Sequence, residues 1–257
     1  MIGYDVDPQA GPAALACGVV DEMADSAETA ALGASLVLLA APVQSLAGLV
    51  RRIAGSLAPE ATVIDVGSVK QAIVREADAA LAGGGFVGCH PIAGAEHVGV
   101  AAADPEIFVG RVCFACPSEH TRAEATGAAA LFWRGLGCRV VSIEPSLHDR
   151  LMAAVSHLPH VAAFALAASL ADALPLVESN AVLGGPTTSL RDTIRIAASS
   201  PQVWRDILLA NREHLLPLVR ELEQRVGTIG AAMAAGDAVA LEAALAIGQA
   251  CRQRLVK

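Results

Sequence analysis

Apolar residues along the chain fall into two kinds of pattern, and the change between them comes near residue 145. Before it, short uninterrupted apolar runs alternate with alanine-rich stretches whose apolar positions recur every three or four residues. "MIGYDV" at 1–6 reads as a strand, 8–16 as a helix, "SLVLLAAP" at 35–42 as a strand, 43–57 as an amphipathic helix and "TVIDVGS" at 62–68 as a strand. A helix over 69–82 comes next, then strands at "GFVGCHP" and "RVCFACP", a helix over 120–136 and a last strand at "CRVVSI". Strands alternating with helices predict parallel βαβ units, and strands apolar throughout predict a sheet covered on both faces.

After residue 145 the strand pattern stops. Residues 146–174 predict a long apolar helix kinked at Pro159, whose missing N–H breaks the helical ladder. A loop containing "LGGPTTS" leads to helices over 190–198 and from Ser200, with Ser200 as N-cap and Pro201 in the first turn. Trp204, Ile207, Leu208, Leu215 and Leu222 keep helical spacing, and Asp237 can cap the final helix. The predicted fold is therefore α/β then all-α: a Rossmann-like parallel-sheet domain at 1–145 and a helical domain at 146–257. The helices carry more apolar face than one subunit is expected to cover, which predicts a homodimer through the helical domain.

Composition narrows the function. Hydrophobic residues make up 54% of the chain but aromatics only 3%, so the apolar content is largely alanine, suited to close packing. A net charge of -8 without any Lys/Arg cluster excludes nucleic acid and anionic membranes as partners and points to a small solute. The most apolar segments, 36–43 and 161–170, are about half the roughly 20 residues a spanning helix requires, and no basic-then-apolar leader precedes them. A soluble cytoplasmic protein is expected. Cys17, Cys89, Cys113, Cys116, Cys138 and Cys251 are scattered and form no disulfide framework. Cys113 and Cys116 make a CxxC, yet "GRVCFACP" reads as a buried strand ended by Pro117; with no second ligand pair, no metal site is expected.

The candidate chemistry sits at strand ends. In a dinucleotide-binding fold an acid after the second strand holds the ribose 2′-hydroxyl, and Asp5 in "GYDVDP" fits; no Arg or Lys follows it, which favours NAD over NADP. The GxGxxG turn belongs about 20 residues before that acid, and the sequence begins at Met1; "LAGGGF" at 81–86 stands in the reverse context, after a helix and before a strand. A Rossmann sheet without its central first strand is expected to have a gap with unpaired backbone on both sides. Either an upstream segment of about 25 to 30 residues completes it or the domain is impaired, and the first is the expectation.

Ser68 ends one predicted strand and His90, in "GCHPIAGAEH", ends another, where ligands of open α/β sheets bind. His157 and His160 lie in "SHLPH", and Arg191, Asp192 and Arg195 follow the "GGPTTS" loop. Read singly, each has a plain structural role: a hydrogen-bonded strand-end histidine, a His pair without a nearby carboxylate, a charged helix face.

Together, "DVGSVK", "HPIAGAE", "SHLPH" and "DTIRIA" with "WRDI", in that order, resemble the prephenate/arogenate (cyclohexadienyl) dehydrogenases of tyrosine biosynthesis, from Gly3 to the C-terminal helices. The resemblance implies NAD-dependent oxidative decarboxylation, with His90 deprotonating the substrate's ring hydroxyl and Ser68 bonding both His90 and that hydroxyl. It implies that Arg195 clamps a substrate carboxylate, that His160 and His157 face the substrate, that Glu96 gates the entrance, and that Ala95 stands where relatives commonly carry Thr or Ser. The cofactor would lie along Asp5, Pro42, Val43, Gly67 and Ser68. No regulatory extension is expected, so feedback control would act at the active site. Two alternatives stay open: a catalytically impaired Rossmann-type binding protein, and another β-hydroxyacid or imine dehydrogenase. The second is disfavoured because those enzymes place a lysine in the helical domain, whereas the only lysines here are Lys70 and Lys257.

Overall fold

The computed structural model describes residues 1–94, 99–100, 103–173 and 187–255, which form two compact units, Met1–Asn211 and Arg212–Lys257. The α/β part of the first unit runs β1 (Ile2–Gly3), α1 (Ala10–Ala16), β2 (Glu22–Met23), α2 (Ala27–Ala31), β3 (Leu36–Leu39), α3 (Val43–Ile53), β4 (Thr62–Asp65), α4 (Gln71–Ala80), β5 (Phe86–Pro91), β6 (Val112–Cys116), α5 (Ala123–Gly135) and β7 (Arg139–Ser142). Five strands hydrogen-bond in the order β3-β4-β5-β6-β7, while β1 and β2 pair with each other as a separate parallel piece. Among the described residues no ladder joins β1 to β3.

Two features depart from the sequence expectations. β6 runs antiparallel to β5, with His90 opposite Phe114, so the sheet is not wholly parallel; an antiparallel neighbour needs no crossover helix, and the alternating pattern does not report strand direction. The pair β2 and α2 arises in "DEMADSAETA", which lacks the apolar run that marks a strand. Register supplies β2, through Ile2 opposite Glu22 and Gly3 opposite Met23, and a cap supplies α2, since Ser26 Oγ accepts the Thr29 N–H at 3.0 Å.

Successive residues of β4 face opposite sides of the sheet, and each side has its own core. Val63 packs with Leu46, Val50 and Ile53 of α3 and with Ile73, Val74 and Ala77 of α4. Ile64 packs with Ala125, Ala129 and Trp133 of α5, beside Val87 and Cys89 of β5. Each fully buried side chain of this size contributes about 1.5–3 kcal/mol, which anchors the strand ends that carry the site.

The helical part of the unit opens with α6 (Pro145–Met152), capped by the Glu144 carboxylate, which accepts the N–H groups of Ser146 at 2.9 Å and Leu147 at 2.7 Å. It continues through a widened π turn, Ala153–His157, into α7 (Leu158–Ser169). The irregularity lies before Pro159, because that residue has no N–H for the carbonyl four residues earlier and the ladder slips to a longer spacing there. The whole run Pro145–Ser169 is 25 residues, long and apolar enough by length and composition to cross a membrane, which corrects the expectation that every apolar segment is too short. Here it buries His148, Asp149 and His157. Beyond it come α8 (Thr188–Ile194), a 3-10 turn at Arg195–Ala198 and α9 (Pro201–Ala210), whose cap Ser200 accepts the Val203 N–H at 3.4 Å. Gln44 of α3 donates to the Asp206 carbonyl of α9 at 3.4 Å.

The second unit is a pair of packed helices, α10 (Arg212–Ala235) and α11 (Ala238–Leu255). The joint is Gly236, at φ +63, and Asp237, whose carboxylate accepts the Ala240 N–H at 2.9 Å. Val226, Met233, Val239, Leu245 and Ile247 on these helices are exposed.

Candidate active site

The carboxyl ends of β4 and β5 are locked together by one buried carboxylate. Asp65 Oδ1 accepts the Cys89 N–H at 2.8 Å, and Oδ2 accepts the Gly67 N–H at 2.9 Å. The Lys70 ammonium pairs with the same Oδ2, and both side chains are fully buried. Two charges taken out of water are tolerated only when paired and hydrogen-bonded, so the turn after β4 has little freedom. Gly67 is required by space: a Cβ there would come 2.8 Å from Leu46 Cδ1 and 2.9 Å from Asp65 Oδ2. The turn and β5 present Ser68 and His90 to one cavity of about 330 Å³, with Val66, Pro91, Phe108 and Trp133 among its walls.

His90 is half-buried, and its Nδ1 lies 2.9 Å from Nε2 of His148, a fully buried residue of α6. His148 Nδ1 is in turn 2.8 Å from Asp149 Oδ1. That carboxylate also accepts the Lys70 N–H at 2.7 Å and the Gln71 N–H at 2.9 Å, at the start of α4, where the free N–H groups and helix dipole favour an anion. The edge of Phe114 packs against the His148 ring at 5.5 Å between centroids. The network extends further: Asn211 Nδ2 donates to the Asp149 carbonyl at 2.8 Å and to His157 Nδ1 at 2.9 Å. The His157 ring meets Trp204 edge-on at 5.9 Å, and Trp204 stacks on His160 at 3.5 Å and 20°. His160 Nδ1 binds the Ser156 carbonyl at 2.9 Å.

Burial is the main force on these imidazoles, because it disfavours the cation. It holds the His90 pKa well below the ordinary 6.5, helped by the neighbouring His148, Lys70 and His157. His157 is drawn down to about 4, chiefly by burial and against the pull of Asp149. His160 is lowered by burial and by the Arg195 guanidinium, which brings Arg195 into its neighbourhood.

The residues singled out from the sequence thus fall in distinct places. Ser68 and His90 share a cavity, and His160 stands with Trp204 and near Arg195. His157 turns into the protein, 1% exposed, with Nδ1 committed to Asn211. The orientation of His90 comes from His148; among the described residues no hydrogen bond joins His90 to Ser68. Asp5 is exposed beyond β1, its Oδ1 accepting the Asp7 N–H at 2.8 Å. Pro42 is the cap residue of α3, and Val43 opens that helix. Ala95 and Glu96 lie outside the described residues. His148, Asp149, Lys70, Asp65 and Asn211 were not anticipated. A signal for part of this set was present, since His148, Asp149, Ser156, His157 and His160 are polar positions within a largely apolar helical run.

Comparison with known proteins bears on this arrangement. Residues 1–142 match the family described as prephenate dehydrogenase, nucleotide-binding domain, and residues 144–247 match prephenate dehydrogenase, dimerization domain. A prephenate dehydrogenase of Bacillus subtilis is 35% identical over 221 residues, 84% of this chain but 58% of that protein's length. A cyclohexadienyl dehydrogenase of Zymomonas mobilis is 30% identical over 91% of this chain and 80% of its own. Among solved structures, prephenate dehydrogenase of Aquifex aeolicus in complex with hydroxyphenyl propionate and NAD+ superposes with a TM-score of 0.84 at 29% identity, covering 99% of this chain and 88% of that one. Arogenate dehydrogenase of Synechocystis gives 0.78 at 25% identity, covering 99% and 91%.

Proposed function

The chain belongs to the prephenate dehydrogenase family, and from that premise we propose that it catalyses the NAD-dependent oxidative decarboxylation of prephenate, or of arogenate, in the formation of tyrosine. The observation that carries the reading is the half-buried His90, its pKa lowered, opening with Ser68 onto one cavity at the strand ends. A neutral imidazole is the form that can accept a hydroxyl proton.

The strand ends suit a dinucleotide. Asp5 offers an exposed carboxylate to a ribose hydroxyl, and the small side chains of Ala40 and Ala41 let a ligand approach the backbone closely, while Gly67 holds the turn beside them. Pro42, Val43 and Ser68 complete the proposed cofactor set. A bound oxidised nicotinamide would accept the hydride leaving the ring carbon that bears the hydroxyl. As that hydride leaves, His90 takes the hydroxyl proton. The carbon–carbon bond to the ring carboxylate then breaks, carbon dioxide departs, and the electron pair enters the ring. The phenolate oxygen so formed recovers its proton from His90.

Arg195 is the proposed clamp for a substrate carboxylate, for which a planar guanidinium is well matched, and His160 supplies a polar contact beside it. Glu96 and Ala95 are retained as substrate-side positions; His157, buried with its Nδ1 committed to Asn211, is not. The proposed division of labour is residues 1–145 for the dinucleotide and 146–257 for substrate and dimer formation, in a cytoplasmic homodimer. The match of residues 144–247 to a dimerization domain supports the last point.

The test is NADH formation on adding prephenate or arogenate to the chain with NAD. Turnover with either is the expected result and tells the substrates apart. Saturable substrate binding without NADH would replace this reading with that of an impaired binding protein.

A further inference from the structure

The proton positions on His90 follow from what surrounds it. The N–H groups of Lys70 and Gln71 can only donate, so both oxygens of Asp149 are acceptors at the amino end of α4. His148 Nδ1, 2.8 Å from Oδ1, must then carry its hydrogen toward that oxygen. In an imidazole carrying that one hydrogen, His148 Nε2 is left as a bare acceptor. The group 2.9 Å away, His90 Nδ1, is therefore the donor.

We infer that His148, held by Asp149, is a positioning residue that fixes His90 as the Nδ1–H tautomer and leaves His90 Nε2 unprotonated to receive the substrate's hydroxyl proton. His148 touches no reacting atom in this scheme; it decides which His90 nitrogen is available. When His90 takes a proton on Nε2, the added charge strengthens its bond to His148, and the Asp149 carboxylate lies one ring further along the same chain. Asn211, bonded to the Asp149 carbonyl and to His157 Nδ1, keeps α6 in register with this chain. The inference rests on His90 being the base, but its main test does not.

Long-range nitrogen–hydrogen NMR correlations on histidine-labelled protein, without substrate or cofactor, report the His90 tautomer directly. The wild type is expected to show Nδ1–H. His148→Gln keeps an amide at the Nε2 position that can still accept from His90, and should retain that tautomer. His148→Asn keeps a group near Asp149 but withdraws the acceptor, and should shift His90 toward Nε2–H. In steady-state assays the Asn variant should lose roughly 10- to 100-fold in kcat with KM little changed, the size of effect seen when the partner orienting a metal-bound imidazole is removed. The Gln variant should recover most of that loss.

An Nε2–H His90 in the wild type, an unchanged tautomer in the Asn variant, or equal losses in both variants would overturn the inference. If the Asn variant does not fold, the wild-type and Gln spectra still decide. The Nδ1–H tautomer in a protein that oxidises neither prephenate nor arogenate would sink the proposed function and leave standing only the part of this inference that concerns how His148 sets the His90 tautomer.

Discussion

A half-buried imidazole near a lysine and two other histidines is poor at holding positive charge, and that weakness is useful in a base that must start neutral. Because burial and these neighbours lower the His90 pKa from 6.5, its neutral form persists as the pH falls past that value. With the proton-accepting form in control, kcat/KM should stay level through pH 6.5 and decline only at lower pH; a limb centred at or above 6.5 in the pH profile would contradict the assignment. His90→Asn should cut kcat by roughly 10² to 10⁴, the usual worth of a positioned acid or base, while prephenate affinity is largely kept. Turnover near that of the wild type would remove His90 from the mechanism. The chemistry of single residues was partly legible: His90 and Ser68 stood out at strand ends. His148 did not, because its role depends on a partner 58 residues away in sequence.

At the scale of elements, the turn from β4 into α4 shows how a strand end becomes a rigid support. Asp65 binds the backbone on both strands' ends and pairs with Lys70, and the space this leaves admits no side chain at residue 67. Gly67→Ala should therefore destabilise the protein by about 1–3 kcal/mol, as overpacking of a filled site does. Urea unfolding would register this as a lower midpoint with unchanged slope, and a midpoint equal to the wild type's would show that the turn yields. Most elements could be read from apolar periodicity. The antiparallel direction of β6 could not, since a buried strand presents the same apolar run whichever way it points. The π turn before Pro159 was half visible: the proline marked a break, but only packing decided that the ladder would widen on its N-terminal side.

At the scale of the molecule, the helices of the second unit leave Val226, Met233, Val239, Leu245 and Ile247 in contact with solvent. Apolar residues grouped on one helical pair are a cost to a lone chain and a resource for a self-complementary interface. Sedimentation equilibrium at micromolar concentration should give the mass of two chains, and substituting Val239 and Leu245 with Glu should shift it toward one. A single-chain mass in the unsubstituted protein would refute the dimer.

The sequence by itself determined the order of the strands and helices apart from β2 and α2, the apolar faces that build the two cores, and the strand-end positions of Ser68 and His90. Those features depend on neighbours within a few residues along the chain, where periodicity and motif speak directly. Only the tertiary structure decided that His90 answers to His148 and Asp149, that His157 serves Asn211, and that Lys70 is consumed by Asp65. Hydrogen bonds between distant segments require the chain to have closed on itself, and a buried polar group declares its purpose only when its partner is in place.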